Sequence, residues 1–488
     1  MADLQQLVLL IVQVTAVLHA TIVLVFSVRI LLRDDLTPAA RMAWLMVLFI
    51  APYLGVAIYL LFGEISLGRS IHSRHDEIFR QVHSVAGSVL GSCDDVLPKH
   101  VESEYQAAFR AASVDGFETT AGNHGELLSD DKAARARLLQ DIDEATESVQ
   151  CLYYIWLDDQ TGVDVADALI RAAARGVVCH AMADGLGSRR FIRSKHWKRM
   201  RQAGVNLATA LPIDGILKTI LFGRLDLRNH RKITVIDSRI TYCGSQNCAD
   251  PEFRVKAKFA PWVDIMLRLE GPIVAQNQLL FATDWLLNSK DEIPSSLTFS
   301  SSSSQGGFAA QVFADGPTER RGVTPQLFAT LLALAKHEVV ISTPYFVPNQ
   351  TVLDALCAAA MRGIRVTLIV PKNNDSWIVA AASHGYYRRL LMHNVRIFEY
   401  RDGLLHAKTF TVDKKLALVG STNLDLRSFD LNYENDILLR DDQIAAAIFE
   451  RQSHYIGRSD AVTLEHVNDW SYPRRMWNNV VATIGPIL

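Results

Sequence analysis

The chain has 488 residues, which is too long for a single hydrophobic core and predicts two domains with additional segments. Its formal net charge is only −2, which argues against a nucleic-acid binder that relies on a globally basic surface. The 6 cysteines form no Cys-x-x-Cys pair, which disfavours a zinc site and a disulfide framework and indicates a reducing compartment.

Two long apolar stretches at the N-terminus predict a transmembrane hairpin. No acidic residue, lysine or arginine lies between Asp3 and Arg29, or between Arg41 and Glu64, and each stretch is long enough to cross a bilayer as a helix. A cleaved signal peptide is the alternative for the first stretch, but that stretch lacks a basic start and a second one follows closely. The spans are expected at 5–28 and 42–62.

Two polar segments divide the rest of the chain. Residues 64–116 are polar and without clear periodicity, and we expect a juxtamembrane linker there. Residues 294–307 contain the run Ser300–Ser304 followed by Gln-Gly-Gly, which is typical of a flexible spacer. The C-terminal tail combines Trp, Tyr and Arg residues with a short apolar run, which favours an interfacial anchor. The predicted organisation is a hairpin at 1–63, a linker at 64–116, domains at 117–293 and 308–470 joined by 294–307, and a tail at 471–488.

The two predicted domains contain the same order of elements, which indicates an internal repeat. The β-rich runs Val149–Trp156 and Val339–Phe346 are each followed by a helical pattern. These helices, Val165–Arg175 and Val352–Arg362, each precede a glycine and then β-branched residues that begin a strand. Strands that alternate with helices of this length predict an α/β fold around a largely buried sheet.

Each half also carries the pattern His-x-Lys-x4-Asp-x6-Gly-Ser-x-Asn without a gap. Six residue types at fixed spacing, found twice at matching places of a repeat, make coincidence negligible, whereas a lone His-x-Lys would carry almost no information. The first copy consists of His230, Lys232, Asp237, Gly244, Ser245 and Asn247, and the second of His406, Lys408, Asp413, Gly420, Ser421 and Asn423.

These residue types suit chemistry at phosphorus. Residues 230–236 and 406–412 predict strands, on which a His and a Lys two positions apart share one face. An imidazole can attack phosphorus or deliver a proton near neutral pH, and an adjacent ammonium stabilises charge on the phosphate oxygens. We expect the Gly-Ser-x-Asn turn to direct further donors toward those oxygens. A buried structural His–Lys pair is the alternative, and the duplication disfavours it.

The duplicated pattern resembles the HKD signature of the phospholipase D superfamily. Together with the two apolar N-terminal stretches, it makes nearly the whole chain similar to the bacterial cardiolipin synthases. The resemblance implies two pseudo-twofold-related α/β domains with mixed sheets, whose motifs face one cleft. It is most evident at Gly122–Leu128, Arg228–Asn247, Ile341–Pro348 and His406–Asn435.

The resemblance also implies roles for individual residues. His230 is expected to be the nucleophile and His406 the general acid and then base, although two equivalent motifs cannot order the histidines by themselves. Glu434 resembles the family carboxylate that orients a histidine, and Asp264 is its counterpart at a different spacing. Phosphate binding and support are expected from Lys232, Lys408, Ser245, Ser421, Asn247 and Asn423, and positioning from Asp237 and Asp413. No metal and no cofactor are expected.

The implied partners are phosphatidylglycerol, other anionic lipids and the bilayer, without nucleic acid. The implied location is a bacterial inner membrane, and the cysteines favour a cytoplasmic body. A synthase would pass a phosphatidyl group to a second phosphatidylglycerol, whereas a hydrolase would pass it to water, and no residue in the sequence excludes water. The two spans and the lack of a broad basic groove disfavour a nuclease. Two complete motifs disfavour a catalytically silent membrane scaffold, and the oligomeric state stays open.

Three further features allow two interpretations each. The basic segment Arg189–Arg201 fits either a lipid-headgroup contact or a solvated helix face. The apolar segment Ile216–Leu225 fits either insertion among acyl chains or core packing, which we favour. Aromatic residues at predicted strand ends fit either the cleft wall or the core; they are Tyr154, Trp156, Tyr345 and Phe346.

Overall fold

A computed structural model of the chain describes residues 2–34, 36–63, 69–86, 90–212, 226–289 and 306–483. The chain divides into an N-terminal unit, Met1–Ser66, and a larger unit that begins at Leu67 and contains both motifs. All 6 cysteines are buried and free.

The N-terminal unit is helical. Its first helix, Ala2–Leu31, is the one helix of the described chain that is long and apolar enough to cross a membrane. The second predicted span is not one continuous helix, because Ala51 leaves the helical conformation before Pro52. The His19 ring lies edge-on to the Tyr53 ring with centroids 5.8 Å apart, so this polar residue contacts the second apolar segment. The helices after the first are Pro38–Ile50 and Pro52–Ile58, continued by a π-helical turn at Tyr59–Gly63.

The segment that we expected to be an irregular linker is largely helical. Leu97, Tyr105 and Phe109 are fully buried and pack against the core of the second half of the larger unit. These helices are short and bury few side chains each, so their apolar residues give no clear helical period along the sequence. The helices are Arg69–Ala86, Cys93–His100 and Gln106–Ala112, followed by a 3-10 turn at Ser113–Asp115.

The larger unit is built on one mixed sheet to which two halves contribute corresponding strands. The first half contains β1 (Thr120–Leu127), β2 (Ser148–Tyr153), β3 (Val178–Asp184), β4 (Asn206–Ala210), β5 (Arg228–Asn229), β6 (Lys232–Ile236), β7 (Ile240–Gly244), β8 (Trp262–Val263) and β9 (Met266–Glu270). The second half contains β10 (Phe308–Asp315), β11 (Glu338–Ser342), β12 (Phe346–Val347), β13 (Arg365–Pro371), β14 (Arg396–Tyr400), β15 (Leu404–Leu405), β16 (Thr409–Val412), β17 (Leu416–Gly420), β18 (Leu424–Asp425), β19 (Asn432–Arg440) and β20 (Ser459–Val462). Outside the large sheet, β8 pairs with β15 and β12 pairs with β18 in two separate two-stranded sheets.

Read outward from its centre, the sheet has the same strand order in both halves. β1 and β10 pair in antiparallel fashion at the centre. Outward from them follow β9, β7, β6, β2, β3 and β4 on one side, and β19, β17, β16, β11, β13 and β14 on the other, with β20 at the edge. The pairs β2–β3–β4 and β11–β13–β14 are parallel, and the inner pairs are antiparallel. The predicted α/β repeat with mixed sheets is confirmed.

The predicted helices Val165–Arg175 and Val352–Arg362 are present and end within one residue of the prediction, but they begin earlier, at Gln160 and Gln350. The side chain of Asp159 caps the helix Gln160–Ala174, and that of Asn349 caps the equivalent helix Gln350–Met361. Gly176 and Gly363, both with positive φ, follow the ends of these helices. The remaining helices are Asp131–Glu144, Arg189–Ile192, Lys195–Gln202, Arg254–Phe259 (3-10), Ile273–Asn288, Val323–Leu334, Trp377–Met392, Leu426–Asp430, Asp442–Gly457, Leu464–Asn468 and Tyr472–Thr483.

Candidate active site

The two motif histidines lie just before the motif strands, not on them as we expected. Each follows a short strand that pairs in parallel with the opposite half: β5 pairs with β19, and β15 pairs with β8. The backbone N–H of His230 donates to the carbonyl of Tyr433 at 2.9 Å, and that of His406 donates to the carbonyl of Val263 at 2.8 Å. Each histidine backbone is therefore anchored by the half to which it does not belong.

A carboxylate of the opposite half holds each imidazole. The Oε1 and Oε2 atoms of Glu434 lie 3.0 and 2.8 Å from Nδ1 of His230. Oδ1 of Asp264 lies 2.6 Å from Nδ1 of His406. All four side chains are buried. Asp264 lies at a different spacing from its motif than Glu434 does, yet it occupies the equivalent position. Each carboxylate pairs with the histidine of the opposite half.

The motif serines support these carboxylates. The hydroxyl of Ser245 donates to Asp264 at 2.6 Å, and that of Ser421 donates to Glu434 at 2.5 Å. Both serines are buried. We expected these hydroxyls to point toward a phosphate. They donate to the carboxylates instead and thereby orient them.

The motif lysines are almost completely buried beside the histidines. Nζ of Lys232 donates to the backbone carbonyl of His230, and Nζ of Lys408 donates to that of His406, both at 2.6 Å. Burial lowers the pKa of Lys232 to about 8 and that of Lys408 to about 7. Both ammonium groups therefore lose their charge at a pH close to neutral.

Both imidazoles are held in the neutral form. Burial and the two lysine charges lower the pKa of His230 well below its usual value, and burial and Lys408 lower that of His406 to about 4. Burial raises the pKa of Asp264, but the His406 ring, Lys408 and Ser245 outweigh that effect and hold it at about 2. The ionised Asp264 accepts the Nδ1 proton of His406, so Nε2 of that ring carries a lone pair. Burial raises the pKa of Glu434, against the lowering effects of Lys232, Ser421 and Asn432. Where Glu434 accepts the Nδ1 proton of His230, Nε2 of that ring carries a lone pair as well.

The two histidines line a single cleft of about 500 Å³. Asn247 and Asn423 line the same cleft. Oδ1 of Asn247 accepts a hydrogen bond from the backbone N–H of Ile155 at 3.3 Å, which leaves its amide N–H groups as donors. The structure thus brings together the His, Lys and Asn residues that the sequence assigned to one site.

Aromatic rings form part of the cleft wall. The Tyr154 ring lies edge-on to His230 with centroids 4.9 Å apart, and the Trp262 ring lies 4.5 Å from that of His406. Tyr345 also lines the cleft, whereas Trp156 and Phe346 are fully buried in the core. Sequence reasoning missed Trp262 because its strand, β8, is too short to give a pattern.

Arginines and one lysine stand around this centre. Arg189, Arg190, Lys256 and Arg427 line the cleft. In the basic segment Arg189–Arg201, the interleaved side chains of Phe191, Trp197 and Met200 are buried in the core, so its apolar side does not face lipid. The segment Ile216–Leu225 lies outside the described residues.

The motif aspartates lie away from the cleft, at the turns that end the motif strands. The carboxylate of Asp237 accepts hydrogen bonds from the backbone N–H groups of residues 146, 147 and 148. Asp413 accepts equivalent bonds from residues 336, 337 and 338. Both aspartates have positive φ, as the tight hairpin turn requires. Their hydrogen bonds fix the chain that enters β2 and β11.

The first prediction follows from these turns. Asp237→Asn replaces one of two acceptor oxygens with a donor, so we expect the free energy of unfolding to fall by about 2 kcal/mol. Backbone N–H donors outweigh burial and hold the pKa of Asp237 below its usual value. The stabilisation is thus present at neutral pH and is lost as the pH falls through this lowered pKa. Thermal unfolding at several pH values measures it.

Asp469→Asn is the matched control, because Asp469 is exposed. An Asp237→Asn variant that unfolds at the same temperature as this control would contradict the assignment.

Comparisons with known proteins agree with the geometry. The family model described as "Cardiolipin synthase, PLD-like domain" matches residues 138–280 and 328–454. A second model, described as "Phospholipase D-nuclease N-terminal", matches residues 21–64. The cardiolipin synthase A of Serratia proteamaculans is 35% identical to this chain, with 94% of each chain covered. That of Proteus mirabilis is also 35% identical, with 92% of this chain and 93% of the relative covered.

A solved structure supports the fold. The crystal structure of phosphatidylserine synthase from Haemophilus influenzae Rd KW20 aligns with a TM-score of 0.58 at 16% identity. It covers 78% of this chain and 100% of that chain. At this level of identity the likeness concerns the fold alone.

Proposed function

The chain belongs to the family of cardiolipin synthases with phospholipase D-like domains, and on that premise we propose that it transfers a phosphatidyl group from one phosphatidylglycerol to a second. The products are cardiolipin and glycerol. The observation that carries the proposal is the pair of imidazoles, each held at Nδ1 by a carboxylate of the opposite half, that line one cleft.

In the first step His230 acts as the nucleophile. Its Nε2 lone pair attacks the phosphorus of the donor lipid and forms a phosphorus–nitrogen bond. The bond from phosphorus to the headgroup glycerol breaks, and His406 gives its Nε2 proton to the departing glycerol oxygen. His406 is neutral in the empty cleft, so this proton must be taken up with the substrate, whose negative charge raises the pKa of the imidazole.

In the second step the acceptor lipid takes the place of the departed glycerol. Its hydroxyl gives a proton to His406 while its oxygen attacks phosphorus, and the phosphorus–nitrogen bond to His230 breaks. Asp264 stabilises the imidazolium of His406, because an opposite charge at 2.6 Å favours the protonated ring. Glu434 occupies the equivalent position at His230, 2.8 Å from Nδ1. The assignment of His230 as the nucleophile follows the likeness to the phospholipase D superfamily, and the third prediction below tests it.

Lys232, Lys408, Asn247 and Asn423 bind the phosphate oxygens in both steps. The lysines supply positive charge in a site that is already desolvated, so little reorganisation is needed as negative charge grows on those oxygens. Ser245, Ser421, Asp237 and Asp413 act as positioning residues through the hydrogen bonds described above.

The chain is membrane-associated, with an apolar helix that can cross a bilayer near its N-terminus. We place it in a bacterial inner membrane with the body in the cytoplasm, a placement that the free, buried cysteines support. The two-part family match falls within the predicted domains 117–293 and 308–470 and supports that division. The helix Tyr472–Thr483 exposes Tyr472, Met476 and Trp477, which supports an interfacial tail.

The second prediction concerns the products. Purified protein in detergent, given phosphatidylglycerol and a chelator, is expected to form cardiolipin and glycerol in equal amounts. Because both imidazoles take part in each transfer, His230→Ala and His406→Ala should each lower the rate by about a thousandfold. Mass spectrometry of the lipids and an enzymatic glycerol assay measure the products.

His454→Ala is the matched control, since His454 is an exposed histidine on the helix Asp442–Gly457. Phosphatidic acid as the sole lipid product would assign a hydrolase instead of a synthase.

The third prediction orders the two histidines. A phosphatidyl ester of p-nitrophenol releases its acidic phenol without a proton from an acid catalyst. His406→Ala should therefore release about one equivalent of nitrophenol in a burst and then stall, because the second step lacks its base. His230→Ala should show no burst. Stopped-flow absorbance records the burst, and mass spectrometry locates the phosphatidyl group; the reverse pattern would exchange the two roles.

The fourth prediction concerns pH. The kcat/KM value should fall at high pH as Lys408 and then Lys232 lose their charges, with pKa values of about 7 and about 8. It should fall at low pH as the nucleophile His230 becomes protonated and loses its Nε2 lone pair, which occurs well below the usual pKa of a histidine because burial and the lysine charges lower that pKa. In the Lys408→Arg variant the side chain keeps its charge at alkaline pH, so the alkaline limb should move to higher pH. An unchanged alkaline limb in that variant would remove Lys408 from the profile.

A further inference from the structure

The proposed transfer brings two phosphodiester groups into one cleft, but the duplicated motif accounts for only one of them. The reacting phosphorus lies between the two imidazoles, where each contact from one half has a counterpart from the other. The acceptor lipid carries a second phosphate on the far side of its glycerol. That phosphate cannot occupy the same position, so any cation that binds it must break the symmetry of the site.

Three arginines of the cleft wall break that symmetry. Counted from the ends of β3 and β13, the positions of Arg189 and Arg190 correspond to Ser376 and Trp377. Counted from the motif asparagines, the position of Arg427 corresponds to Pro251. Each of these cations is therefore present in one half only.

The arginines also lie on one side of the cleft. Arg189 and Arg190 belong to the first half, which contributes His230. Arg427 belongs to the second half but donates from Nη2 to the backbone carbonyl of Asp226 in the first half at 2.8 Å. Its charge is one of those that lower the pKa of His230. All three guanidinium groups thus add positive charge along the wall that carries His230.

The positive charges of these three arginines are not paired with carboxylates of the described residues. Among the described residues, no carboxylate oxygen lies within 4.0 Å of any of the three guanidinium groups. By contrast, Nζ of Lys256, the remaining cation of the cleft wall, lies 2.5 Å from Asp375, which also accepts the Tyr345 hydroxyl at 2.8 Å. Asp425 lines the cleft as well, and its carboxylate accepts the backbone N–H of Ser428 at 2.7 Å.

We propose that Arg189, Arg190 and Arg427 form a subsite for the phosphate of the acceptor lipid. Guanidinium groups suit this task because they bind phosphate oxygens through paired N–H donors. The subsite deepens the proposed function and rests on it. It gives an anionic phospholipid an advantage over a neutral alcohol or water as the acceptor.

The test gives the phosphatidyl group a choice of acceptor. The donor is a phosphatidyl ester of p-nitrophenol with deuterated acyl chains, presented with equal amounts of phosphatidylglycerol and free glycerol in detergent. Attack by phosphatidylglycerol gives half-labelled cardiolipin, and attack by glycerol gives labelled phosphatidylglycerol. In Arg427→Gln and in the double variant Arg189→Gln/Arg190→Gln, the ratio of these products should fall about tenfold, because a charge-assisted contact to only one acceptor is lost.

Two further variants sharpen the test. Arg193→Gln removes an exposed charge of the same basic segment that does not line the cleft, and the product ratio should match that of the unmodified protein. Arg427→Lys keeps the charge without the paired donors and should restore part of the ratio. The KM for phosphatidylglycerol as acceptor should rise in Arg427→Gln.

An unchanged product ratio in the arginine variants would overturn the subsite, whether the two products form at the original rates or fall by the same factor. Failure of the proposed function looks different, because the unmodified protein would then yield labelled phosphatidic acid with either acceptor.

Discussion

The hydrogen bond between each motif imidazole and a carboxylate of the opposite half is the interaction on which the site depends. β5 and β15 create it, because each lies beside the strand segment that leads into the partner carboxylate. The bond sets the proton on Nδ1 and leaves Nε2 with its lone pair. Either half alone has a histidine without its carboxylate, so the fold must bring the halves together before the site exists.

The charge balance of the buried centre follows from the same arrangement. Two ammonium groups, two carboxylates and two neutral imidazoles nearly cancel before any substrate binds. Such a cluster is costly to bury, and the lowered pKa values of Lys232 and Lys408 reflect that cost. Folding removes water from these groups before substrate binds, so the hydrogen-bond donors are already oriented when the phosphate arrives. Because both imidazoles are neutral before substrate binds, the proton that the leaving alcohol needs must be taken up with the substrate.

The sequence predicted the repeat, the motif residues and their common cleft, because fixed spacing and residue type are local information. It did not predict the crossed pairing of Glu434 and Asp264 with the histidines, which depends on short strands that pair between distant segments. Trp262 was missed for the same reason. Asp237 and Asp413 belong to the motif but do not line the cleft. They stabilise the turns at the far ends of the motif strands. A recurring sequence pattern therefore identifies important residues, but it does not distinguish residues that take part in the reaction from residues that stabilise the fold.

A duplicated site suits a reaction whose second step reverses the first with a different alcohol. Glycerol departs from the position that the acceptor hydroxyl later occupies, so the same imidazole can serve as acid and then as base. Symmetric residues alone, however, treat water and a lipid hydroxyl alike once phosphorus is bound to His230. Selection between them must come from residues outside the symmetric core that contact what lies beyond the reacting hydroxyl. Arg189, Arg190 and Arg427 meet that requirement, since each lines the cleft from one half without a counterpart in the other.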